Sequence, residues 1–95
     1  MTELEIQSYD NVWDAIADTP ADSAMLQIKS SLMDQITDMI EASGWTAAEA
    51  ARKCGLTPPR LAELLQGRIS QFSLDALVAI SAALGQRVQI GLVAA

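Results

Sequence analysis

Histidine is absent from the 95 residues, and cysteine occurs once, at Cys54. The first absence removes imidazole from metal binding and from any Ser-His catalytic pair; the second excludes an internal disulfide. Bases are scarce too, six against twelve acids, and a formal net charge of −6 is wrong for a chain that coats nucleic acid indiscriminately. There is no run of about 18 apolar residues and no signal peptide, so the expected compartment is the cytoplasm. The chain lacks a glycine-rich loop to cradle a phosphate and a second cysteine to complete a pair. Its acids are scattered without a converging apolar pocket. An enzyme is therefore not expected, nor a cofactor, nor a metal. Repeats, linkers and low-complexity stretches are also missing. Ninety-five residues allow one domain, with a core modest enough to gain from association.

The net charge hides an asymmetry. Residues 1 to 43 carry nine acids and one base, Lys29, for a balance of −8. Residues 44 to 95 carry five bases and three acids, for +2, and four of those bases (Arg52, Lys53, Arg60 and Arg68) fall between positions 52 and 68. A small basic face on an acidic body suits a protein that meets DNA on one side and a basic protein on another.

The basic stretch has its own grammar. In WTAAEAARKCGLTPPRLAELLQG, residues 45 to 67, Thr46 and Glu49 form a T-x-x-E capping box, the start of a helix whose alanines allow a close neighbour. Gly55 stands where a helix ends in a left-handed residue. Thr57 then caps a second helix with Pro58 at its first position, where the missing N–H costs nothing. Leu61, Leu64 and Leu65 supply its inward face, and Gly67 closes it. Two short helices joined by a turn of about three to four residues predict a helix-turn-helix, whose second helix enters the major groove. Cys54, at the end of the first of these helices, reads as a small buried hydrophobe rather than a redox group.

The flanks are expected to support this unit. ELEIQSY, residues 3 to 9, alternates like a short strand, and NVWDAIA, residues 11 to 17, suggests a helical turn or two in which Trp13 is an anchor or a partner contact. Thr19, Pro20 and Asp22 open a helix running to about Ser43. Its apolar positions Met25, Ile28, Leu32, Ile36 and Met39 recur at three or four residues, widened by Leu26, Met33 and Ile40. That stripe is plain core or, in part, an interface. Trp45 is expected to staple the next helix start. Residues 68 to 72 read as a loop ending in Phe72, a plug for the core. Ser73 caps a last helix with Leu74, Leu77, Val78, Ile80, Ala83 and Leu84 inward. In the tail RVQIGLV, Val88, Ile90 and Leu92 alternate with polar residues as in a half-buried strand. A lone strand needs a neighbour for its backbone groups, so these three residues are the expected dimer interface, paired with a second subunit or with the amino-terminal strand.

From Trp45 through Leu84 the chain resembles the Cro/repressor-type, or Xre, helix-turn-helix family. Over roughly residues 10 to 93, the pattern NVWDAIADTP, a long helix, then GWTAAEAARKCGLTPPRLAELLQGRISQFSLDALVAISAALG is similar to the HigA-like antitoxins of that family. The resemblance implies an antitoxin that represses its own operon and silences a small, basic, RelE- or HigB-like mRNA-cleaving toxin. In that family, polar residues, often glutamine, open the reading helix; here Pro58 and Pro59 stand instead. They touch a thymine methyl but form no bidentate hydrogen bonds, so base readout leans on Arg60, suited to guanine, with Glu63 a candidate acceptor from cytosine. Lys53, Arg68 and Arg52 are the phosphate candidates, with Thr46, Thr57 and Ser70.

The expectation is an all-α, five-helix, lambda-repressor-like domain with short terminal β-strands used in dimerisation. Residues 1–19 form an arm, 20–85 the helix-turn-helix domain, and 86–95 the tail. The expected activity is operator repression as an antitoxin homodimer. Two alternatives stay open: a regulator of stand-alone or phage type without a toxin, and an interaction module that has lost DNA binding.

Overall fold

Four α-helices account for most of residues 19–94, the part of the chain that the computed structural model describes. In order they are α1 (Pro20–Ser43), α2 (Ala47–Cys54), α3 (Pro58–Leu65) and α4 (Leu74–Ala83), with a 3-10 turn at Ile69–Gln71 between the last two. The expected strand at residues 3 to 9, the helix at residues 11 to 17 and Trp13 lie outside the described residues.

Each of the four described α-helices starts on a hydroxyl. Thr19 Oγ1 accepts from the Asp22 N–H at 3.0 Å, Thr57 Oγ1 from Arg60 at 3.3 Å, and Ser73 Oγ from Ala76 at 3.1 Å. At α2 the capping box is complete: Thr46 Oγ1 accepts from the Glu49 N–H at 3.1 Å, and Glu49 Oε1 accepts from the Thr46 N–H at 3.0 Å. Each such bond satisfies one of the amides that a helix start leaves unpaired. Gly55, with φ of 72°, ends α2. Its reversal lets the Leu56 N–H reach the Ala51 carbonyl at 2.9 Å and its own N–H reach Arg52 at 3.1 Å. A Cβ there would be strained by the left-handed backbone rather than by any neighbour.

The core draws Met33, Ile36 and Ile40 from α1, Ala50, Ala51 and Cys54 from α2, Leu61 and Leu64 from α3, and Leu77 and Ile80 from α4. Phe72 plugs it from beyond the 3-10 turn. Helix α2 packs on α3 and α4, while α1 lies along α4, α3 and the 3-10 turn. Full burial of side chains such as Leu64 and Leu77 contributes about 1.5–3 kcal/mol each.

Several expectations are corrected. Residues 68 to 72 are not a plain loop but contain the 3-10 turn. Leu65 is exposed, because an eight-residue helix that buries Leu61 and Leu64 turns the next position by about 100° toward solvent. Val78 and Ala83 are likewise on the outer side of α4. Met25 and Ile28 are 44% and 53% exposed, since the buried apolar residues of α1 begin only at Met33. No strand occurs among the described residues: 86–94 carry no regular structure, Val88 is half-buried, and Ile90 and Leu92 are 86% and 99% exposed. An extended segment without a second strand beside it has no ladder to join.

Candidate nucleic-acid interface

Helix α2, the turn at residues 55 to 57 and helix α3 stand together as one packed unit. The inner side of this unit is Ala50, Ala51, Cys54, Leu61 and Leu64; its outer side holds the polar residues singled out from the sequence. Thr57, Pro58, Pro59 and Ala62 are exposed on α3, and Arg60 and Glu63 are half-exposed. The prolines at the first two positions of α3 carry no N–H to donate, so the free amides of this helix start are fewer than usual.

The cations are engaged locally. Lys53 Nζ stands 5.1 Å from the centre of the half-buried Trp45 ring, a cation–π contact that leaves its outer side in water. Arg68 Nε donates to Gln66 Oε1 at 2.8 Å, just past Gly67. Arg52 is exposed in the last turn of α2, where a positive charge faces the negative end of the helix dipole. Arg60 lies with its guanidinium carbon 4.0 Å from the centre of the Phe72 ring, and its Nη1 donates to Glu63 Oε1 at 3.0 Å. The ion pair is exposed by more than a third on both sides, so water screens it and it adds about 0–1 kcal/mol to stability.

Two groups titrate away from their ordinary values. The Thr46 backbone N–H holds the Glu49 carboxylate below the usual range, helped by the Thr46 hydroxyl and by the charges of Arg52 and Lys53, against a smaller opposing effect of burial. Burial pushes the Cys54 thiol up, which keeps it protonated and unreactive at neutral pH.

The sequence-named positions lie on α2, α3 and the segment that follows α3, with Thr46 capping α2 and the exposed Ser70 in the 3-10 turn. Three residues that sequence reasoning had assigned no part in this face, or a purely structural one, turn out to touch it: Trp45 under Lys53, Phe72 under Arg60, and Gln66 beside Arg68. The i, i+3 spacing of Arg60 and Glu63 was a visible signal for their pairing; nothing in the spacing of Arg60 and Phe72 indicated theirs. Among the described residues no group of acids and cysteines is arranged to hold a metal ion, and no helix is long and apolar enough to cross a membrane.

Two capped helices about a glycine turn, the second presenting its start outward, define a helix-turn-helix protein. The family model for the helix-turn-helix domain matches residues 15–92, and the chain belongs to that family. No curated protein matches the chain. Membership of a helix-turn-helix family points to a DNA-binding regulator.

Proposed function

We propose that the chain is a sequence-specific repressor that binds a two-fold symmetric operator as a homodimer and serves as the antitoxin of a toxin-antitoxin pair. The observation that carries the DNA-reading part is the packed α2-turn-α3 unit, with Arg52, Lys53, Arg60 and Arg68 on its outer side. Arg52, Lys53 and Arg68 supply phosphate-neutralising charge on an otherwise acidic chain, and Arg60 is left for the bases.

The dimer rests on the tail and on what lies beside it. An open groove of about 660 Å³ runs between α1 and the start of the tail, lined by Leu32, Ile36, Met39, Leu84 and Val88 among others. Beyond it Ile90, Leu92 and Val93 are almost fully exposed. A second copy whose tail pairs with this one supplies the backbone partners that a single extended segment needs and covers the apolar positions. The antitoxin role rests on the likeness of residues 10 to 93 to HigA-like proteins and on the −8 balance of residues 1 to 43, which suits a small basic toxin.

A gel shift with the DNA upstream of the chain's own coding sequence, at low and moderate salt, tests the DNA part. A discrete complex that survives competitor DNA supports it, and no complex at low salt sinks it. Co-purification with the product of an adjacent gene for a small basic protein tests the antitoxin part. Operator binding without such a neighbour leaves a stand-alone regulator.

A further inference from the structure

Arg60 is held in one pose from two sides. The Phe72 ring lies 4.0 Å from the guanidinium carbon, and Glu63 Oε1 takes one hydrogen from Nη1 at 3.0 Å. Phe72 itself is 1% exposed and wedged in the core, so it is a fixed platform rather than a mobile neighbour. The backbone beneath is fixed as well, because the Arg60 N–H donates to the capping Thr57 hydroxyl at 3.3 Å. A guanidinium has five donors in one plane. The ring lies against the guanidinium, and Glu63 accepts one of the five hydrogens. Among the described residues no other protein acceptor meets the remainder, and the side chain is still 37% exposed.

We infer that Arg60 is a preset reader of a single guanine, and that Glu63 and Phe72 are its positioning residues: Glu63 fixes the rotation of the guanidinium fork, and Phe72 fixes its plane. This rests on the DNA-binding reading above and reassigns Glu63 from cytosine acceptor to holder of the arginine. Guanine O6 and N7 require two parallel N–H groups, and a fork already fixed loses less freedom on meeting them than a free side chain does. With two prolines at the helix start unable to donate, discrimination at this face concentrates on that one base.

The test uses the full chain and the site it selects from random duplexes, with affinities measured for guanine and for each substituted base at the Arg60 position, and for unrelated DNA. Arg60→Ala abolishes a guanine preference expected to lie between about fivefold and 150-fold. Arg60→Lys keeps the charge but has no planar fork for Glu63 and Phe72 to hold, so its guanine preference falls below that of the wild type. Glu63→Gln erodes the preference while leaving affinity for unrelated DNA equal or higher, because one negative charge has gone from beside the phosphates. A variant that merely loosened the fold would weaken every DNA alike. The double variant Arg60→Ala with Glu63→Gln discriminates no worse than Arg60→Ala alone. Full guanine preference in Glu63→Gln overturns the inference, as does a further loss in the double variant, which would mean that Glu63 reads a base of its own. Failure of the wild type to select any sequence overturns the DNA-binding reading itself, and this inference with it.

Discussion

Cys54 and Lys53 are neighbours in sequence with opposite circumstances. Cys54 is buried among α2, α3 and α4, and its thiol is pushed above the ordinary value of 9.0 by desolvation. A raised thiol pKa stabilises the fold below the unfolded value and loses that contribution as pH climbs through the folded one. The native chain should therefore resist a thiol reagent at pH 8 while denatured chain reacts at once; equal rates would place the thiol at the surface. Its burial was legible from composition and from its place just before Gly55. Lys53 is exposed over Trp45, and its role as a phosphate contact predicts that Lys53→Ala weakens all duplexes alike, with a salt slope reduced by about 2 because each subunit of the dimer loses one contact. Unchanged affinity on every duplex would remove Lys53 from the interface. That it rests on an indole was not legible, because the spacing of residues 45 and 53 does not tell which rotamer a long flexible side chain takes.

At the scale of the element, helix starts and stops were the most readable part of the chain. Thr19, Thr46, Thr57 and Ser73 all cap as their spacing implied, since a hydroxyl three residues before an unpaired amide needs only local geometry. Ser73→Ala should lower stability by about 1 kcal/mol in urea unfolding and leave DNA affinity untouched. A loss of DNA affinity would tie α4 to the interface. The Glu49 half of the capping box carries a pH signature. Its folded pKa lies below the ordinary 4.5, so its contribution is full above that value and is lost as pH falls through the folded pKa. The stability difference between wild type and Glu49→Gln should hold constant near neutrality and shrink in acid. A difference that grew in acid would reverse the sign of the interaction. The strand expected at Val88, Ile90 and Leu92 is not formed in the single chain, because alternation reports a potential face but not whether a neighbour is present to complete it.

For the whole molecule, the proposal places two α3 helices on one duplex, carried there by tails joined across the dimer. Ile90→Asp with Leu92→Asp should convert a dimer to a monomer in sedimentation without unfolding residues 20 to 83, because both side chains are already almost fully exposed in the single chain. A variant that stayed dimeric would move the interface elsewhere. About six to eight phosphate contacts per dimer give an expected log-log salt slope near −5 to −7, and a slope near zero would argue against any such docking. What the sequence by itself determined was local: where helices begin and end, the helix-turn-helix spacing, and the concentration of bases on it, all set by interactions within a few residues. What only the tertiary structure decided was which part of each apolar stripe is covered, leaving Met25, Ile28 and Leu65 outside, and that Arg60 lies on Phe72 against Glu63. Periodicity states that a face exists, whereas the packing of distant segments selects what meets it.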